Sequence, residues 1–160
     1  MIIASTSENK EIEKRVAITP EITKKYINLG FQIQLIENYG THIGFDDSQY
    51  KNAGAKIIID EKELLNNSNI VVQLGLLKDN QRSMMKENQT LIGTFNAYQN
   101  KDEIKNFSSK NINVFSLELL PRITRAQSMD ILSSQANLAG YKAVIESFAF
   151  FEKAIPMMMT

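Results

Sequence analysis

Short apolar runs alternate with amphipathic stretches along the first three quarters of the chain. Runs rich in β-branched and aromatic residues predict strands at 2–5, 31–37, 55–59, 70–74, 90–95 and 112–117. Apolar residues at helical spacing predict helices at 19–29, 46–53, 61–66, 79–87 and 100–109. Strands that alternate with helices in this way are typical of a mainly parallel sheet with helices on both faces. The predicted fold class is therefore α/β, Rossmann-like or flavodoxin-like.

Capping residues support the first of these helices. Thr19 is an N-cap residue type, and Pro20 follows at the first helical position, where its missing N–H costs nothing. Gly30 stands where such a helix is expected to end, and Gly54 does the same for the second helix.

The character of the sequence changes near residue 124. Residues 124–153 read as one continuous helical pattern, much longer than the usual ~11–12 residues, and Pro156 is expected to end it. We therefore divide the chain into an α/β domain at 1–123 and a second segment at 124–160, a long connecting helix that leads toward a nucleotide-binding domain.

Composition excludes several classes of function. With 18 basic and 18 acidic residues, the chain has no net charge that would favour nucleic acid or an acidic membrane surface. It contains no cysteine, and no apolar run approaches the ~18 residues of a spanning helix. The seven glycines never form G-x-G-x-x-G or a phosphate-binding loop, and the lone His42 has no neighbouring ligand residue for a metal.

One segment, residues 120–137, is dense in polar side chains at a strand-to-helix transition. Its polar residues recur every three or four positions and predict one ridge on a helix, after an arginine in a proline turn: Arg122, Gln127, Asp130, Ser133 or Ser134, and Asn137. Guanidinium, amide, carboxylate and hydroxyl groups together can hold a planar ligand that carries a carboxamide, because an amide ligand both donates and accepts.

A structural explanation of the same residues remains open at this stage. Thr124 and Gln127 have the spacing of a capping box, in which Gln127 would only satisfy backbone donors. Asp130 would suit the positive end of a helix dipole without binding anything. The residue pattern alone favours neither interpretation.

The segment also carries a family resemblance. Residues 121–145 read PRITRAQSMDILSSQANLAGYKAVI, and residues 156–160 read PMMMT. This resembles the NAD(H)-binding component (alpha subunit, domain I) of proton-translocating NAD(P) transhydrogenases. Residues 15–21, RVAITPE, and the Gly-Phe pair at 30–31 resemble the opening that these proteins share with alanine dehydrogenases. The resemblance covers the whole chain.

The resemblance implies a site and its chemistry. An Arg-Gln-Asp loop with a nearby serine contacts the nicotinamide of NAD(H) in that family; by position these residues are Arg122, Gln127, Asp130 and Ser133. They would turn C4 of the ring toward NADP(H) on a partner domain. Hydride transfer between two cofactors moves no proton at the reacting carbon, so positioning supplies most of the catalysis. Arg122, Gln127 and Asp130 are then the catalytic candidates.

The resemblance also implies an assembly. The expected partners are the NADP(H)-binding and membrane proton-channel components and a second copy of the chain. The expected location is cytoplasmic, at the membrane only through those partners. The family's glycine-rich dinucleotide fold would begin after Thr160, so we expect this chain alone to bind NAD(H) weakly or not at all. The alternative is a non-catalytic module that uses the apolar side of 127–153 for dimerisation or docking.

Alanine dehydrogenases offer a second alternative. In that family a lysine and a histidine handle the amino acid, and they would align with Gln73 and near Asn96. Neither ionisable group is present, which argues against amino acid oxidation. Gln73 also departs from the lysine common in transhydrogenases. Arg15 is expected to form a structural ion pair with Glu13 or Glu37.

Overall fold

The computed structural model describes residues 1–154. Within that range, six strands are present: β1 (Ile2–Ser5), β2 (Gln32–Ile36), β3 (Lys56–Ile58), β4 (Ile70–Val72), β5 (Thr90–Gly93) and β6 (Asn113–Ser116). The helices are α1 (Pro20–Asn28), α2 (Asp47–Asn52), α3 (Glu61–Asn67), α4 (Asp79–Met84), α5 (Lys101–Ser108) and α6 (Ile131–Phe150). Short 3-10 segments occupy Thr41–Ile43, Leu117–Leu119 and Thr124–Met129. Each predicted strand is found where its pattern placed it, and the α/β class is confirmed.

All six strands lie in one parallel sheet with the order β3-β2-β1-β4-β5-β6. The chain builds outward from β1 to β3, then returns to the other side of β1 and builds outward again. The two halves therefore meet between β1 and β4. In open α/β sheets, ligands bind at such a switch point, beyond the carboxyl ends of the strands.

Helices cover both faces of this sheet, as predicted. Ile3 of β1 is the register partner of Ile33 of β2, and both pack in a buried cluster with Tyr50 of α2. Ala4, the next residue of β1, faces the opposite side and packs with Leu64 of α3. The alternation follows from the two-residue period of a strand, and each buried aliphatic side chain stabilises the fold by roughly 1.5–3 kcal/mol.

The first helix begins and ends at the residues that its sequence indicates. The Thr19 hydroxyl accepts a hydrogen bond from the Ile22 N–H at 3.3 Å, and Pro20 stands at the first helical position. Past the end of α1, Gly30 has φ +87°, a conformation that other residues adopt at a cost. Local capping chemistry therefore sets the length of α1.

The chain divides into two compact units, one at Met1–Leu119 and a second that starts at Leu120. The predicted continuous helix over 124–153 is wrong at its beginning. Thr124–Met129 forms a 3-10 segment, and Asp130, with φ −73° and ψ 90°, interrupts the helical backbone. The α-helix proper is the 20-residue α6, a long helix as expected. Pro156, the expected terminator, lies outside the described residues.

Two classes of feature are absent from residues 1–154. No helix there combines the length and the apolar character that crossing a membrane requires. Within the same residues, no three His, Cys, Asp or Glu side chains are grouped so that they could hold a metal ion.

Candidate functional site

Three of the four predicted site residues line one pocket in the second unit. The pocket has a volume of about 220 Å³ and lies where the chain turns from Pro121 into the 3-10 segment. Arg122, Gln127 and Asp130 line it together with apolar and polar neighbours, and the complete lining is Pro121, Arg122, Ile123, Thr124, Ala126, Gln127 and Asp130. The tight 3-10 turn, anchored by the buried Ala126, brings these side chains together.

Two of these side chains have no partner among the described residues. The Arg122 guanidinium and the Gln127 carboxamide are exposed, and neither makes a side-chain hydrogen bond or ion pair there. Together they offer planar donors and one amide acceptor to the same pocket. Donors and acceptors left unsatisfied by the fold remain available to a ligand.

Asp130 and Ser133 have a different arrangement. The backbone N–H of Ser133 donates to Asp130 Oδ1 at 3.0 Å, and the Ser133 hydroxyl donates to Asp130 Oδ2 at 2.6 Å. Asp130 is thus the N-cap of α6, which satisfies one of the free backbone donors at the start of that helix. Ser133 does not line the pocket and reaches it through Asp130.

The electrostatics of Asp130 follow from these contacts. The hydrogen bonds from the side chain and the backbone of Ser133 hold the pKa of the Asp130 carboxyl below its usual value, and the positive charge of Arg122 lowers it further. Asp130 is therefore an anion at neutral pH. It can accept hydrogen bonds from a ligand amide but cannot donate a proton to it.

The structure corrects two local expectations for this segment. Thr124 and Gln127 form no capping box, because the N-cap position of the 3-10 segment is Ile123, whose side chain makes no capping bond. The single polar ridge is also broken: Gln127 lies before the start of α6, and Ser133 lies within it. The helix-capping role falls to Asp130 instead, as the dipole argument suggested.

Gln73 has a defined structural place. It follows β4, is 3% exposed, and its side-chain oxygen accepts from the Ser5 hydroxyl at 2.8 Å and the Thr6 N–H at 2.9 Å. These bonds join the segments that follow β1 and β4. Here the glutamine acts as an acceptor, a role that a lysine ammonium has no lone pair to fill.

Arg15 forms the expected pair with Glu13. Its Nη2 lies 2.5 Å from Glu13 Oε2, and its Nε donates to Glu13 Oε1 at 2.8 Å. The hydrogen bonds from Arg15 hold the pKa of Glu13 below its usual value.

The sequence pattern did not indicate a second pocket, at the switch point of the sheet. It has a volume of about 280 Å³ and is lined by Ser7, Glu8, Asn9, Ile12, Glu13, Gln73, Gly75, Leu76, Lys78 and Gln81. The strand order would have located it, because β1 and β4 are neighbours at the point where the direction of winding reverses.

Comparison with known proteins identifies the family. Residues 5–139 match the model of the alanine dehydrogenase/PNT N-terminal domain. The chain belongs to this family. Within it, the chain is 37% identical over 164 residues to the first of the NAD(P) transhydrogenase alpha-subunit polypeptides of Rickettsia prowazekii (strain Madrid E). It is 38% identical over 165 residues to the polypeptide of the same name from Rhodospirillum rubrum.

The match covers all of this chain but less than half of those relatives. In both transhydrogenase subunits the chain spans 43% of the relative's length. A solved transhydrogenase from Sinorhizobium meliloti superposes with a TM-score of 0.90 at 34% identity, covering 100% of this chain and 48% of that one. The chain therefore corresponds to the amino-terminal portion of a transhydrogenase alpha subunit.

Alanine dehydrogenases are more distant relatives. Alanine dehydrogenase 1 of Staphylococcus aureus (strain Mu50) is 25% identical over 154 residues, which is 96% of this chain and 40% of the relative. A solved L-alanine dehydrogenase superposes with a TM-score of 0.69 at 20% identity over 74% of this chain and 32% of that chain. That structure shows the shared fold only.

Proposed function

We propose that this chain is the amino-terminal portion of the NAD(H)-binding component of a proton-translocating NAD(P) transhydrogenase. In this proposal the pocket at residues 121–130 receives the nicotinamide of NAD(H) for hydride transfer to NADP⁺ on a partner component. The observation that carries the proposal is that Arg122 and Gln127 line one pocket with Asp130 while their polar groups have no partner among the described residues.

The donor set fits a nicotinamide carboxamide. The Gln127 amide both donates and accepts, which matches a second amide group, and the Asp130 carboxylate can accept from the ligand N–H₂. Arg122 supplies a planar donor that can bind the carboxamide oxygen. Ser133 fixes the orientation of the Asp130 carboxylate through its 2.6 Å hydrogen bond and so positions it.

This chemistry explains which residue types are absent from the pocket. The bound NADH supplies the hydride, and the role of the protein is to hold the ring in one orientation and to limit the access of water. Because no proton moves at the reacting carbon, the pocket requires no general acid or base. Its titratable lining residues are Arg122, a cation, and Asp130, whose lowered pKa keeps it an anion at neutral pH.

The partners follow from the same proposal. An NADP(H)-binding component must bring its nicotinamide to the pocket, and a membrane component must carry the protons. The names of the homologous bacterial proteins mark each of them as one piece of a divided alpha subunit. We therefore propose that this chain lies on the cytoplasmic side, joined to the membrane through its partners, and functions as a homodimer.

The decisive experiment compares hydride transfer with NADH affinity in the assembled transhydrogenase. Gln127→Asn shortens the side chain by one methylene, which withdraws the amide by roughly 1 Å, and a misplacement of that size costs about 10²-fold in rate. We expect the single-turnover rate to fall on that scale while the Kd for NADH changes less than about threefold. Stopped-flow absorbance and equilibrium fluorescence measure the two quantities.

Ser128→Ala is the matched control for this experiment. Ser128 lies in the same 3-10 segment as Gln127 but does not line the pocket. Its loss should leave both the rate and the affinity unchanged. Equal losses of rate and affinity in Gln127→Asn would instead assign Gln127 to general binding or to the fold, and would contradict a positioning role.

A non-catalytic role in dimerisation is the second candidate, and the surface of α6 favours it. Large apolar side chains of this helix are exposed, among them Leu138 at 58%, Tyr141 at 69% and Phe148 at 53%. Surfaces of this kind mark interfaces. Sedimentation analysis of the assembled enzyme with Tyr141→Ser and Phe148→Ser separates the two candidates. A dimerisation role alone predicts dissociation, with an unchanged rate of hydride transfer per active site.

An alanine dehydrogenase activity is the remaining alternative, and we favour it least. The family and the fold are shared, but the buried Gln73 stands where the resemblance expects the lysine of those enzymes. An assay with L-alanine and NAD⁺ tests this alternative directly, and we expect no turnover.

A further inference from the structure

The pocket at the switch point of the sheet contains an occupied anion position. Its walls come from the segment after β1, which includes Glu8, and from the segment after β4, which includes Gly75. Open parallel sheets place ligands in this crevice, because the two neighbouring segments leave in opposite directions. The position is separate from the pocket at residues 121–130, and the inference below does not depend on the proposed function.

Two successive backbone N–H groups point at one carboxylate in this crevice. The Leu74 N–H donates to Glu8 Oε1 at 2.5 Å, and the Gly75 N–H donates to Glu8 Oε2 at 3.2 Å. Successive N–H groups that converge in this way form a concave anion-binding site in loops. A Cβ atom on Gly75 would lie 3.3 Å from Glu8 Oε2, so the glycine leaves just enough room for the carboxylate.

The occupant reaches the site from a distant region of the chain. Glu8 precedes Leu74 by 66 positions, and its carboxylate is only partly exposed. Burial raises its pKa above the usual value, and the two N–H donors oppose that shift only partly. The Glu13 carboxylate also raises the pKa, while Arg15 lowers it. The fold thus holds a desolvated carboxylate at the place where the topology predicts a ligand.

We propose that this crevice is a binding site for a small carboxylate, whose anion position is filled by the chain's own Glu8. Glu8 acts as an internal ligand: its carboxylate satisfies the N–H groups of Leu74 and Gly75 and keeps an external carboxylate out. The volume of about 280 Å³ beside it suits a short monocarboxylate such as acetate. An external carboxylate enters when Glu8 is removed or displaced.

Rescue by acetate tests the proposal in the 160-residue chain. Glu8→Ala leaves both N–H groups without their acceptor and vacates the anion position. We expect acetate, compared with chloride at equal ionic strength, to raise the melting temperature of this variant saturably, by about 3 °C when acetate exceeds its Kd tenfold. Wild-type protein, in which Glu8 fills the position, should not respond.

Glu11→Ala is the matched control, because Glu11 is an exposed acid in the same segment. In ¹⁵N-labelled protein, acetate should shift the amide resonances of Leu74 and Gly75 in Glu8→Ala and in neither of the other proteins. Glu8→Gln should also fail to respond, since its amide still fills the space. An acetate response of Glu8→Ala no larger than that of Glu11→Ala would overturn the proposal.

A wild-type measurement keeps the proposal testable if Glu8→Ala does not fold. Amide protons bound to a carboxylate move upfield when that carboxylate is protonated. The Leu74 and Gly75 amide protons should therefore titrate together, with a midpoint above the usual range for glutamate, as the raised pKa of Glu8 requires. If the two amides stay fixed through that range, Glu8 is not their ligand and the proposal is wrong.

Discussion

Ser133 donates twice to Asp130, through its backbone N–H at 3.0 Å and its hydroxyl at 2.6 Å. The same two residues are candidates for holding a nicotinamide and are also the start of α6. A residue that caps a helix is held by that helix, so the capping bonds give the Asp130 carboxylate a fixed direction at the rim of the pocket. Capping and ligand binding are therefore compatible roles for Asp130.

Substitutions at Asp130 separate the two roles. Asparagine caps helices about as well as aspartate, whereas alanine does not. We expect Asp130→Asn to keep the first turn of α6 while slowing hydride transfer in the assembled enzyme. Asp130→Ala should lose both, and faster hydrogen exchange at the Ser133 amide should report the frayed turn. Equal exchange in the two variants would contradict the capping role.

The start of α6 should respond to acid. The pKa of Asp130 is lowered in the folded protein, so its stabilising contribution is present above the unfolded aspartate pKa of about 3.9 and is lost as the pH falls through the folded value. The Ser133 amide resonance should move toward its random-coil position only below about pH 4. In Asp130→Asn that change should be missing, since no group titrates there.

Gln73 should contribute to the stability of the fold as an acceptor. Gln73→Met keeps a side chain of similar length but leaves the buried Thr6 N–H without its partner, which costs about 1–3 kcal/mol in the free energy of unfolding. Urea denaturation measures the loss. Gln99→Met, at an exposed loop position, should change the same quantity by less than about 0.5 kcal/mol. Similar losses in both variants would show that the buried bond has no special weight.

Gly93 should be intolerant of any side chain. A Cβ atom there would lie 2.1 Å from the Gln73 carbonyl oxygen and 2.6 Å from the ring of Phe95, so β4 and β5 would have to separate. We expect Gly93→Ala to lower the free energy of unfolding by at least about 1–3 kcal/mol. Gly140→Ala in α6, where a Cβ meets nothing within 4 Å, should raise it by about 0.5–1 kcal/mol. Thermal melts of the two variants should therefore move in opposite directions.

The 160-residue chain should bind NADH poorly by itself. It has no glycine-rich turn before a helix for the pyrophosphate, so the pocket at residues 121–130 can contact only the nicotinamide end. Fluorescence titration should show no saturation below millimolar NADH. Saturation at micromolar concentrations would mean that the chain contains a nucleotide site that its sequence does not reveal.

The strands and the first helices could be predicted from the sequence because local rules decide them. The alternation in β1 and β2 and the Thr19–Pro20 cap each act within a few residues. The break before α6 could not be predicted in the same way. Residues 124–153 all suit a helix, and the interruption depends on whether Asp130 or Thr124 provides the cap, two choices of similar energy.

The site was predictable only in some respects, for a similar reason. Sequence spacing and the family resemblance selected Arg122, Gln127 and Asp130, and the pocket brings them together. The bond from Glu8 to Leu74 and Gly75 joins residues more than sixty positions apart. It depends on β1 and β4 being neighbours, which no local pattern encodes.

The central position of β1 has a consequence for biosynthesis. This strand leaves the ribosome before the other five, yet its final place is between β2 and β4. Residues 1–58 suffice to pair β1, β2 and β3, but the second edge of β1 stays unpaired until β4 has been translated. An open edge of this kind recruits other strands. The nascent chain is therefore most prone to aggregation, and most dependent on chaperones, while α3 is being made.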